Sequence, residues 1–146
     1  MKPFRLDSVL KHRKRLEEQA SARYTRAKLD LEEARSRLHK SQQERMGLAD
    51  QLKKKQLEGI DCGELVRYET HILFLKGQIA ELENLVNRKQ QITESKHRDL
   101  INRSKDRKIL ESLKEKQNSQ YRTYLDKKET ALLDEIGVVY HDRAKE

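Results

Sequence analysis

Five histidines, His12, His39, His71, His97 and His141, and one cysteine, Cys62, are the side chains of this sequence best suited to hold a metal or attack a substrate. No two histidines have the i, i+4 spacing of a His-Glu-x-x-His pair, which puts two imidazoles on one helix face to bind zinc. Cys62 has no second thiol. Asp61, Glu64 and His71 lie near it in sequence, but that grouping reads as a solvated turn rather than a metal site. Gly59 and Gly63 are not followed by Lys and then Ser or Thr, so they do not make a phosphate-binding loop. The expectation is a chain without catalytic residues, metal or cofactor, whose function lies on its surfaces.

Composition supports that expectation. Of 146 residues, 40% are charged and 34% hydrophobic, with no Trp and one Pro, and the mean hydropathy is −1.06. A globular core usually needs about 45–50% apolar residues, so long helices or disorder are the remaining choices. A sustained apolar period separates them, and it is present. A lone cysteine allows no internal disulfide. The N-terminus becomes basic at residues 11–15 without the apolar stretch of a signal peptide. The longest apolar run, Ile72-Leu73-Phe74-Leu75, falls far short of the roughly 20 residues of a membrane span. A cytoplasmic protein without membrane insertion is expected.

The elements follow from the spacing. Leu6, Val9, Leu16, Ala20, Tyr24, Ala27, Leu31, Ala34, Leu38, Leu48 and Leu52 recur in steps of three and four, with Arg13, Ser41 and Arg45 in the same line. The two successive steps of four from Leu16 through Ala20 to Tyr24 read as a stutter. Residues 57–63 break the pattern: Gly59 suits a left-handed helix end, and Asp61 with Glu64 resembles a capping box ahead of Leu65 and Val66. A second line then runs through Leu65, Tyr68, Ile72, Leu75, Ile79, Leu82 and Val86, thins through Ile92, Leu100, Leu110 and Leu113, and returns at Tyr121, Tyr124, Leu125, Leu132, Leu133 and Ile136, with Gly137 as an end signal. The spacing therefore predicts an all-α fold, a single antiparallel coiled-coil hairpin over residues 1–146. Helix 1 covers about 5–57, the turn about 58–63, and a longer helix 2 about 64–141.

Lengths add a surface. A first helix of about 53 residues rises roughly 80 Å and a second of about 78 roughly 120 Å. With reversal near residue 60, Leu6 falls opposite Leu113, leaving Tyr121, Tyr124, Leu125, Leu132, Leu133 and Ile136 on an unpaired overhang, a candidate partner surface. The segment Tyr68, His71, Ile72 and Leu75 is a second candidate, because Leu73 and Phe74 beside it would point away from the partner helix. The net charge of +8 favours acidic partners. Basic clusters at residues 11–15, 53–55 and 103–108 could follow a nucleic-acid backbone, but interleaved acids and the lack of aromatic stacking residues favour a solvated helix face, and no nucleic acid is expected.

The opening Phe4-Arg5-Leu6-Asp7-Ser8-Val9-Leu10 with its basic continuation, the turn near residue 60, the segment Tyr68-Glu69-Thr70-His71-Ile72-Leu73-Phe74-Leu75, and the close Lys128-Glu129 through Leu133-Asp134-Glu135-Ile136 together resemble the FliJ family of the flagellar type III export apparatus. The resemblance covers essentially the whole chain and rests on the combination rather than on one motif. It implies a non-enzymatic stalk-like coiled coil at the cytoplasmic side of the flagellar basal body. Its implied partners are the export ATPase hexamer, the cytoplasmic domain of the export-gate membrane protein, and export chaperones. Phe4, Leu6, Leu10, Arg13, Tyr121, Tyr124, Leu125, Leu132, Leu133 and Ile136 would then meet the ATPase ring, and Tyr68, His71, Ile72 and Leu75 the gate. The stalk protein of a virulence-type injectisome and a basic nucleic-acid-binding coiled coil are the alternatives.

Overall fold

The computed structural model describes residues 5–145. Two α-helices account for nearly all of them, α1 over Asp7–Glu58 and α2 over Cys62–Lys145, paired antiparallel as a hairpin. α1 stops where Gly59 takes φ of 97°, a left-handed conformation that costs glycine little and other residues about 1–2 kcal/mol. α2 starts on Asp61, whose carbonyl accepts the first helical hydrogen bond from the Leu65 amide at 3.0 Å. A Cβ on Gly63 would meet the Asp61 carboxylate at 3.4 Å, which places that carboxylate over the first turn, as an N-cap requires. The expected capping box lacks its Glu64 half, because the Glu64 carboxylate is engaged by Lys55 of α1.

Two expectations fail. Gly137 does not end α2, which continues to Lys145. One glycine costs a helix only about 1 kcal/mol, and the residues after it, Val138, Val139 and Tyr140, carry no breaker. The stutter is also absent, since burial near the start of α1 falls on Leu10, Arg13 and Glu17 rather than on Leu6 and Val9, with Leu16 half-buried beside Glu17. Counted from Glu17, Ala20 is the ordinary next step of three.

The chain divides into two compact units, Gln19–Ile101 and Met1–Glu18 with Asn102–Glu146. Within Gln19–Ile101 the helices bury Ala20, Ala27, Leu31, Ala34, Leu75 and Ile79. The small α1 residues let the backbones approach: the buried Thr93 hydroxyl shares its proton between the Lys89 carbonyl at 2.8 Å on its own helix and the Ala27 carbonyl at 3.2 Å on the other. Tyr24 stacks on His97 with ring centroids 4.9 Å apart, and the Lys28 ammonium lies 5.2 Å from the Tyr24 ring centre.

In the unit of Met1–Glu18 with Asn102–Glu146 the pairing is charged. Lys114 donates to Asp7 at 3.1 Å, Arg13 to Asp106 at 3.5 Å, and Arg107 to Glu17 and Glu111. The Lys114 hydrogen bond, backed by its charge, holds the Asp7 carboxyl below the usual carboxylate range, and the Glu17 hydrogen bond makes the Arg107 guanidinium still harder to deprotonate. The expected register, Leu6 near Leu113, is met by the Asp7–Lys114 contact.

Candidate partner surfaces of the hairpin

In α2 the last side chain with partial cover is Tyr121; every described residue from 122 to 144 is exposed. Tyr121 and Tyr124 stack with centroids 6.5 Å apart. Leu125, Leu132, Leu133 and Ile136 are exposed as expected, and the same helix adds Val138, Val139 and Tyr140, which lie inside the expected helix 2 but not among its candidate contact residues. The cue was there: Val139 and Tyr140 lie three and four residues beyond Ile136.

The line that α2 turns toward α1 in this unit passes through Arg107, Leu110, Lys114, Gln117 and Tyr121. Continued in the same steps of three and four it would reach Tyr124, Lys128, Ala131, Glu135 and Val138. The larger apolar residues instead sit one position later, at Leu125, Leu132, Ile136 and Val139, a step of roughly 100° around a helix. Leu125, Leu132 and Val139 take the heptad position of Ser104, Glu111 and Asn118, which are half-covered, while Leu133 and Ile136 take positions that stay exposed, so the apolar face borders the pairing line and turns away from it. Its spacing, seven, four and three, is that of a helix expecting another helix or a groove.

The remaining terminal candidates differ in availability. Phe4 lies outside the described residues. Leu6 is partly exposed, Leu10 is buried at 2% exposure, and Arg13 is half-buried and ion-paired to Asp106. Leu10 therefore holds the helices together and cannot meet a partner while they stay paired.

The segment after the turn sorts in the same way. Leu75 is the most deeply buried large side chain, and Ile72 is half-buried. Tyr68 is half-buried under Lys55, whose ammonium lies 5.4 Å from the ring centre. The same ammonium bonds Glu64, which lowers the Glu64 carboxyl below its usual range, and the Glu64 and Tyr68 contacts raise Lys55 above the ordinary lysine value. His71 is exposed, and Leu73 and Phe74, at 69% and 60% exposure, form the apolar surface that this segment offers.

Among the described residues no three His, Cys, Asp or Glu are placed to hold a metal ion, and no helix is long and apolar enough to cross a membrane. A groove of about 520 Å³ within Gln19–Ile101 is lined by Arg37, Ser41, Glu44, Glu81, Leu85 and Arg88 among others. None of its lining residues is a histidine or cysteine that could activate the Ser41 hydroxyl or act as a nucleophile.

No curated protein gives a significant match to the chain. Among solved structures, CT670 of Chlamydia trachomatis, a proposed YscO homologue, is similar with a TM-score of 0.55 and 21% identity over 99% of this chain and 98% of that one. At that identity the likeness is one of fold. The model of the family described as flagellar FliJ protein matches residues 1–146. A match over the whole length, on a two-helix hairpin with a free apolar α2 face, settles the family: the chain belongs to the FliJ family, components of the type III protein export apparatus.

Proposed function

We propose that this chain is a non-enzymatic, stalk-like coiled coil that couples the export ATPase hexamer to the cytoplasmic domain of the export-gate membrane protein and assists export chaperones, at the cytoplasmic side of the flagellar basal body. The observation that carries the reading is the exposed α2 face of Leu125, Leu132, Leu133, Ile136, Val139 and Tyr140, for which the hairpin has no internal use. Apolar groups at helical spacing left uncovered mark a partner surface, and the ATPase ring is the partner assigned to it. The gate contact is assigned to the turn-proximal segment, through His71, Leu73 and Phe74 with the Tyr68 ring beside them. Ile72 and Leu75 support that surface from beneath. Coupling requires only that each partner bias the state of one connected helix pair; bond-making chemistry is not needed.

Co-purification with the export ATPase tests the first assignment. The Leu132→Ala, Leu133→Ala, Ile136→Ala variant is expected to lose capture while keeping its helicity, and equal capture by variant and wild type would remove this face from the ring contact. For the gate, Leu73→Ala with Phe74→Ala is expected to weaken binding to the gate's cytoplasmic domain and leave ATPase capture unchanged. Loss of both together would show that the two surfaces are not separate.

A further inference from the structure

On α2, Arg107, Leu110 and Lys114 face α1 and are half-buried. α1 covers them with Asp7, Leu10, Arg13 and Glu17, of which only Leu10 is a buried apolar residue. The cross-helix contacts are ionic: Lys114 to Asp7 at 3.1 Å, Arg13 to Asp106 at 3.5 Å, Lys14 to Glu111 at 3.8 Å, and Arg107 to Glu17. The first three pairs keep between 37% and 49% of each side chain exposed. Ion pairs this wet hold weakly and are screened by salt. Apart from Leu10 and the better covered Arg107–Glu17 pair, this cover is held by the least durable kind of contact the protein has.

The covered line also has a definite chemistry. Residues 102–117 carry six Lys or Arg against three Asp or Glu. Freed of α1, the line presents one cation on each side of Leu110, Arg107 and Lys114, with Glu111 still on Arg107 at 2.6 Å. What fits it is what covers it now, a helix bearing carboxylates at the spacing of Asp7 and Glu17 with an apolar residue at the place of Leu10. α1 fills that role imperfectly, because Lys11 and Arg15 bring like charge to a basic surface, whereas Arg13 and Lys14 answer the Asp106 and Glu111 carboxylates. A helix with acids at the places of Lys11 and Arg15, and with the cations of Arg13 and Lys14 kept, would fit better.

We infer that the first turns of α1 are a detachable cover, and that the α2 line Arg107, Leu110 and Lys114 is a docking surface for an acidic amphipathic helix of a partner, which displaces residues 7–17 on binding. This inference does not depend on the ring and gate assignments, and its test uses neither partner.

The test uses the full chain with Cys62→Ser, carrying spin labels at Ser8→Cys and Lys116→Cys, or at Ala22→Cys and Arg98→Cys as a control within Gln19–Ile101. Distances are measured by electron spin resonance at about 50 mM and about 1 M salt, where the screening length falls to about 3 Å. The first pair is expected to shift to long, broad distances in high salt while the control pair stays fixed. The probe is a synthetic peptide of residues 5–18 with Lys11 and Arg15 replaced by Glu, keeping Arg13 and Lys14 for Asp106 and Glu111. It is expected to bind, to lengthen the Ser8 to Lys116 distance at low salt, and to bind at least about tenfold more weakly to the Arg107→Glu, Lys114→Glu variant. That variant's circular dichroism and control distance report whether it is folded. A first pair that stays closed at high salt overturns the proposal. So does a peptide that fails to bind, binds without lengthening the distance, or binds variant and wild type alike. Sedimentation showing that a second copy of the chain fills the opened line would overturn the assigned partner.

Discussion

Within Gln19–Ile101 the helices meet through alanine, leucine, isoleucine and one buried threonine, whereas residues 7–18 meet α2 through a single buried leucine, Leu10, and otherwise through arginine, lysine, aspartate and glutamate. The same heptad spacing is filled in two different ways. Apolar burial does not depend on ionic strength and repays close approach of small residues; exposed ion pairs fix register but add little and weaken in salt. One chain thus carries a durable pairing and a conditional one.

The sharpest way to break this contrast is Leu75→Ala. Removing the most buried side chain is expected to cost about 2–5 kcal/mol in denaturant unfolding followed by circular dichroism, and a loss below about 1 kcal/mol would show that the pairing there is loose. Thr93→Val tests the close approach, since it keeps the shape but removes the bond to the Ala27 carbonyl. About 1 kcal/mol of destabilisation is expected, measured in the same way. Gly59→Ala strains the left-handed turn and is expected to cost a similar amount, about 1 kcal/mol, with no change in partner binding.

Acid should select the conditional pairing. Asp7 and Glu64 are held below the ordinary carboxylate range by Lys114 and Lys55. The unfolded chain therefore takes up these protons at higher pH than the folded one, so their contribution is complete at neutral pH and fades as pH falls below about 4. Amide hydrogen exchange is expected to quicken in residues 7–18 before residues 20–34 as the solution is acidified. The smallest effect is reserved for the free face: Leu132→Ala should change unfolding stability by less than about 0.5 kcal/mol, and a larger loss would mean that this face is packed within the chain.

The turn and the α2 line were legible in the sequence because their cues are local. Gly59, Asp61 and the succession Leu65, Tyr68, Ile72, Leu75 and Ile79 each state their role through backbone freedom, capping or unbroken apolar spacing. The exposure of Leu73 and Phe74 followed from the same count. The beginning of α1 was misread for the opposite reason. Arg13 and Glu17 look like interruptions until the carboxylate and guanidinium that answer them, Asp106 and Arg107, are seen across the pair at a separation of about ninety residues. Apolar Leu6, Val9 and Leu16 then attract a phase that the ion pairs overrule. Gly137 was misread because a glycine signals a helix end only where something else ends it, and Val138, Val139 and Tyr140 carry the helix onward.

The one-residue offset of Leu125, Leu132, Ile136 and Val139 limits how such a chain can change. An insertion that lengthened α1 in its present phase would run over Lys128, Ala131, Glu135 and Val138 and half-cover Leu132, and would still leave Leu133 and Ile136 in water. The protein could grow a longer hairpin over evolutionary time without silencing its own contact face.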